Sequence, residues 1–173
     1  DAKEVKEIEK TTNHDVKAVE YFIKKEFDKL DLGKYKEFIH FGLTSQDINN
    51  TAIPLSIKAA LQKEYFPHLE DVLEALSELS EACNNTPMLS RTHGQPASPT
   101  TLGKEFSNFS YRLKFHSDLI KSMKQNGKFN GASGNYNAHL IANHKTDWEI
   151  LSKKFVKSLG LNFSSHSTQI ELK

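Results

Sequence analysis

Apolar residues recur at steps of three and four along most of the chain, the period of helices that bury one face. Val16, Val19, Ile23, Phe27 and Leu30 form one such stripe. Asn13 or Asp15 is placed to cap its start and Gly33 to end it. A second helical stretch covers about residues 45–83 and is interrupted by Pro54 and Pro67. Each proline predicts a kink or a break, because the ring removes a hydrogen bond and clashes with the preceding turn. Leu69, Val72, Leu73, Leu76 and Leu79 give the second half a single apolar stripe. A third helix is predicted from Ser98 as N-cap and Pro99 as first residue. Leu102, Phe106, Phe109, Leu113, His116, Ile120 and Met123 then alternate steps of four and three, a coiled-coil-like seam. Within that seam His116 reads as a hydrogen-bonded core residue. The last helix opens with a capping box over Thr146-Asp147-Trp148-Glu149, buries Trp148, Leu151, Phe155 and Leu159, and stops at Gly160.

Two stretches break the helical period, residues 84–96 and 125–137, and either has room for a short hairpin. The expected fold class is all-α: a bundle of long helices with short hairpin or loop segments at the helix ends. Polar, glycine-containing turns on such a scaffold are where chemistry is expected.

Composition narrows the function classes. The 173 residues balance 23 basic against 22 acidic side chains, which gives no electrostatic case for nucleic acid or an anionic membrane as partner. No apolar run approaches the length of a membrane helix, and the N-terminus lacks a signal-peptide pattern. The single cysteine, Cys83, forms no internal disulfide and reads as a small core residue, with a reducing, cytoplasmic setting as the default. Hydrophobic residues make up 37%, low for a self-contained globule and consistent with helices that pack on further partners. The opening without methionine and the close on Gln169-Ile170-Glu171-Leu172-Lys173 read as a piece of a longer protein.

Four polar clusters carry the candidate chemistry. Thr11-Thr12-Asn13-His14-Asp15 and Thr44-Ser45-Gln46-Asp47 sit at helix starts, where free amides and a partial positive charge suit a phosphate or a carboxylate. Thr44 and Asp47 also match a capping box, and one residue can serve both purposes. Arg91-Thr92-His93-Gly94-Gln95-Pro96 crowds donors around a histidine that titrates near neutrality. The stretch from Asn130 to His139 alternates small residues with amides, as expected of a backbone that closely approaches a ligand or a neighbouring chain. His40, His68, His144 and His166 have no partners that the sequence identifies. No metal-ligand spacing, phosphate-binding glycine loop or nucleophile elbow is present.

The order of these clusters resembles the fumarase/aspartase superfamily. Thr44-Ser45-Gln46-Asp47 and the run Thr92 to Glu105 are similar to its first two signature regions. In detail the chain resembles bacterial-type adenylosuccinate lyases, through Thr11 to Phe22, Asn130 to His139 and Thr168-Gln169-Ile170-Glu171. The resemblance implies an anti β-elimination that releases fumarate from adenylosuccinate to give AMP, and from the succinylated carboxamide intermediate of purine synthesis. It implies no metal and no organic cofactor, small-molecule substrates, and a homotetramer with shared active sites. It assigns Asn13, His14 and Asp15 to the nucleotide portion, Thr44 and Ser45 to a succinyl carboxylate, His93 to the general acid and Gln169 to a substrate contact. Residues 1–33 would end an N-terminal helical domain, and residues 34–173 would begin the central bundle. The superfamily's serine-bearing third signature, the expected base, is absent from the sequence, so these residues alone are expected to be inactive. Argininosuccinate lyase and fumarase are the nearest alternatives, and a non-catalytic helical oligomerisation module is the alternative of another class.

Overall fold

The computed structural model describes residues 1–170 and divides into two compact units. The first joins Asp1–Ser56 to the stretch from Gln125 onward, and the second is Ile57–Lys124. Glu171, the last residue of the Thr168-Gln169-Ile170-Glu171 motif, lies outside the described residues. Among those residues, no helix is long and apolar enough to cross a membrane.

The first unit opens with a helix that the apolar period does not announce. Helix α1 spans Ala2–Thr12 and has little apolar content. Its surface is instead laced by pairs three residues apart, Lys6 with Glu9 and Lys10 with Glu7, each at 2.6 Å. Helix α2, Asp15–Lys29, packs against it. Its cap is His14, neither Asn13 nor Asp15: Asn13 is taken up in left-handed conformation as the end of α1. Gly33 does not end α2 either. Asp31 adopts the left-handed conformation, with its N–H on the Asp28 carbonyl and that of Leu32 on Phe27. Those two bonds close a Schellman motif, and Gly33 begins a 3-10 turn, Gly33–Phe38. Helix α3 runs over Ser45–Ala60 with Pro54 buried inside it and no break there.

The same unit returns with β3, Asn126–Gly127, paired in parallel with β4, Asn162–Phe163. A hairpin was possible at 125–137; the segment forms this two-residue bridge and the short α6, Asn137–Ala142, instead. Helix α7, Trp148–Ser158, is capped by Asp147, whose Oδ1 accepts from the Ile150 N–H at 2.9 Å, one residue later than the expected Thr146 box. Its buried positions are Ser152 and Val156, so the inward face is rotated by one residue from Leu151 and Phe155, both left exposed. Gly160 ends the helix as expected.

In the second unit a π-helical turn, Leu61–Tyr65, leads into α4, Phe66–Ala82, with Pro67 in its first turn. Pro67 thus coincides with a departure from α geometry, and Pro54 does not. Strands β1, Pro87–Thr92, and β2, Gln95–Thr101, form an antiparallel hairpin with a bulge between Leu89 and Arg91. The hairpin captures Ser98 and Pro99, which were expected to start the next helix. Pro99 pairs with Leu89, and a fixed proline φ suits an edge strand as well as a helix start. Helix α5, Leu102–Ser122, begins at the Thr101 cap. Cys83 is half-buried at the end of α4, where its carbonyl accepts the Thr86 and Gly103 amides. It caps a helix and is not a core residue.

Helices α4 and α5 pack on each other along the seam only in part. Leu102, Phe106 and Ile120 are half-buried, whereas Phe109 and Met123 stay about 60% exposed (58% and 63%) and His116 lies at the surface. The tight point is Gly103. A Cβ there would lie 2.3 Å from the Ser80 carbonyl oxygen and 2.6 Å from the Asn84 Cα. Alanine is the better helix former by roughly 1 kcal/mol in an open helix. Here the clash reverses that sign, and Gly103→Ala is expected to lose about 1–3 kcal/mol in chemical denaturation. An unchanged or raised midpoint would show that the α4–α5 junction relaxes freely.

Candidate active site

The centre of the first unit is polar. Among the described residues its buried apolar side chains are few, Val16, Ala18, Val156 and Leu161, so polar contacts must hold the loops. Asp47 and Lys128 have no exposed side-chain surface, and Lys128 Nζ lies 2.9 Å from Asp47 Oδ1. Burying two ions is favourable only when their remaining donors and acceptors are matched. Asp47 Oδ1 also accepts from the Asn130 and Gly131 amides at 3.1 and 3.3 Å. Its Oδ2 accepts from the Thr44 amide at 2.9 Å and the Gly131 amide at 3.2 Å. Lys128 donates in addition to the Gly131 carbonyl at 2.8 Å.

Asp47 therefore does more than the capping box asks. One carboxylate ties the start of α3 to the turn at Asn130–Gly131. That turn also holds the chain near Gln169. Asn130 Nδ2 donates to Ser167 Oγ at 2.7 Å, and a Cβ on Gly134 would stand 2.3 Å from the Ser167 carbonyl oxygen. Small residues here let the backbone approach its own chain. Gln169 Nε2 then reaches Thr44 Oγ1 at 3.4 Å, closing a ring of contacts. Thr44 and Ser45 are half-buried at the α3 N-terminus, so both expected carboxylate residues and Gln169 come together in one place.

His139 lies against the same turn with no solvent exposure and neither ring nitrogen bonded. Phe129, Tyr136 and Trp148 surround it with ring centroids 5.5, 5.8 and 4.9 Å away. Burial pushes its imidazole below the ordinary histidine value; Asp47 opposes and Lys128 reinforces that shift. Burial also raises the neighbouring Tyr136 phenol. Both rings are thus uncharged at neutral pH.

Asn13, His14 and Asp15 form the junction of α1 and α2 in the same unit. His14 Nδ1 lies 3.3 Å from the Lys17 amide, which it caps, and 3.2 Å from Asp15 Oδ1. Asp15 Oδ1 accepts from the next amide, Val16, at 2.7 Å.

His93 belongs to the second unit. Thr92 pairs with Gln95, so His93 and Gly94 are a two-residue loop, and their φ values of 51° and 76° are both left-handed. That is the primed turn that suits the twist of a hairpin, with Gly94 taking the second position without strain. Arg91 Nη1 bridges the turn to the Gly94 carbonyl at 3.2 Å. The His93 ring sits exposed at the tip.

Lys128 carries no signal in the sequence. A lysine beside a glycine-rich loop reads as solvated, and its burial depends on a carboxylate far away in the chain.

Comparison with known proteins places this architecture. A family model described as Lyase matches residues 1–172. The chain is 48% identical over 172 residues to the adenylosuccinate lyase of Haemophilus influenzae, covering 99% of this chain and 38% of that protein. It is 45% identical to that of Escherichia coli K12 and 51% identical to that of Dictyostelium discoideum, with the same coverage. The chain thus spans 38% of the length of these curated relatives. Two solved structures share the fold, each with a TM-score of 0.81. They are the 3-carboxy-cis,cis-muconate lactonizing enzyme from Pseudomonas putida, 22% identical over 95% of this chain and 36% of that one, and the fumarate lyase from Mesorhizobium sp. BNC1, 23% identical over 95% and 37%. At such identity they speak for the mostly helical fold alone.

The buried His139 has a measurable consequence. Its folded-state value is lowered, so the unfolded chain takes up a proton first as pH falls. The stability tied to the neutral ring is complete above about pH 6.5 and is lost as pH falls below it. In denaturant titrations between about pH 8 and pH 5, His139→Phe is expected to flatten part of the acid-side decline. Parallel curves for the two proteins would refute the neutral assignment.

Proposed function

Since the chain belongs to the lyase family, its family model matching residues 1–172, we propose that it is part of an adenylosuccinate lyase. The observation that carries this reading is the identity of 45–51% to adenylosuccinate lyases over 99% of the chain. The reaction is the elimination of fumarate from adenylosuccinate to leave AMP, and the same cleavage of the succinylated carboxamide ribotide.

A base removes the proton next to a carboxylate of the succinyl group, the carbon–nitrogen bond breaks, and an acid protonates the departing nitrogen. The half-buried α3 N-terminus supports Thr44 and Ser45 as the carboxylate site, because free amides and hydroxyls there stabilise the charge that builds on that carboxylate. The contact of Gln169 with Thr44 supports its role beside the same group. Asn13, His14 and Asp15 are assigned to the nucleotide portion; they stand together at the junction of α1 and α2.

His93 is assigned as the general acid. The turn leaves the His93 ring exposed and accessible to a substrate, and imidazole is the side chain most often used for such proton transfer. The base is assigned to the superfamily's serine loop, which this sequence does not contain. The chemistry draws on neither metal nor organic cofactor. We assign the enzyme to the cytoplasm and to a homotetramer with shared active sites; the exposed apolar rows on α4 and α5, among them Val72, Leu79, Phe109 and Phe115, support the assembly.

In the full-length protein, His93→Ala is expected to slow fumarate release by a factor of about 10² or more, as for loss of a general acid. Turnover near the parent level, followed by fumarate absorbance, would sink the assignment.

A further inference from the structure

We propose that Lys128 is a charge-compensating positioning residue. It cancels the buried Asp47 carboxylate so that the α3 N-terminus at Thr44 and Ser45 can receive a substrate carboxylate. This rests on the reading of Thr44 and Ser45 as the carboxylate site.

The site carries a built-in conflict. Asp47 stands three residues after Thr44, and its Oδ2 already accepts the Thr44 N–H. A bare carboxylate at that point would consume the positive end of α3 and repel a second carboxylate arriving beside it. Replacing it by an amide does not serve the fold. Both oxygens of Asp47 are acceptors, shared among the Thr44, Asn130 and Gly131 amides, and an amide offers only one oxygen. The loops therefore require a carboxylate where the ligand requires none.

Lys128 resolves this. It is fully buried and uses its ammonium on Asp47 and on the Gly131 carbonyl. Among the described residues it is the one cation within ion-pair distance of Asp47. The other titratable groups facing that carboxylate are His139 and Tyr136, and burial keeps both rings neutral.

The test uses the full-length protein, with fumarate release as the assay and fumarate and AMP as product inhibitors. Fumarate probes the carboxylate site, and AMP carries no succinyl carboxylate. Lys128→Met is expected to weaken inhibition by fumarate about tenfold or more, while inhibition by AMP changes less than about twofold. Equal losses for both inhibitors would overturn the proposal, because a purely structural role weakens both ligands together.

If Lys128→Met does not yield folded protein, Lys128→Gln, which keeps a donor for the Gly131 carbonyl without the charge, is measured in its place. Retaining Lys128 is then expected to strengthen fumarate inhibition by about threefold or more, and equal inhibition refutes the charge role. Thr44→Val/Ser45→Ala separates the two levels. If that variant leaves fumarate inhibition intact, the carboxylate-site reading fails and the proposal with it. If it abolishes inhibition while Lys128→Met does not touch it, only the charge compensation fails.

Discussion

Asp47 and Lys128 meet 2.9 Å apart with neither side chain reaching solvent, and the start of α3 and the Asn130–Gly131 turn are fastened to them. The carboxylate binds amides from the start of α3 and from the Asn130–Gly131 turn; the ammonium binds that turn's carbonyl. Through Asn130 and Ser167 the same restraint extends to the chain carrying Gln169. An apolar core of this size could not do this, because apolar contacts are non-directional and leave loop amides unsatisfied. A buried, hydrogen-bonded ion pair sets positions to within hydrogen-bond tolerance.

Much of this was legible in the sequence, and the failures have physical causes. The helical period found α2, α4, α5 and α7, since a one-sided apolar stripe needs a surface to lie on. It missed α1, whose helicity comes from charge pairs and docking on α2. Caps were displaced by one to three residues. His14 took a place expected for Asn13 or Asp15 because Asn13 was already spent in left-handed form, and Thr101 replaced Ser98 because strand pairing ran on through Pro99. The face of α7 was misjudged by one residue because Ser152, small and polar, packs where Leu151 was expected.

The candidate site divides in the same way. Thr44, Ser45, Asp47 and Gln169 were visible as motif residues, and their meeting depends on contacts that local pattern does not encode. His93 was visible as a turn histidine, and its backbone explains the glycine next to it. Lys128 was invisible, because burial of a lysine is a property of its partner. The outer rows of α5 show the complementary limit: Phe109, Phe115 and Met123 satisfy a helical period without finding a surface within their own unit.

The first unit is discontinuous along the chain, and this bears on how it is made. Residues up to Ser56 emerge from the ribosome well before Gln125 and the residues after it, with the entire second unit synthesised in between. Until Lys128 appears, Asp47 has no counter-ion and remains hydrated, and the start of α3 lacks the turn that fixes it. Closing so long a loop is entropically slow. The second unit, local in sequence, is free to form while the first still waits. The turn that fixes the start of α3 is therefore completed after the second unit's hairpin, so a nascent chain acquires the turn that carries His93 before it fixes the helix end at Thr44 and Ser45.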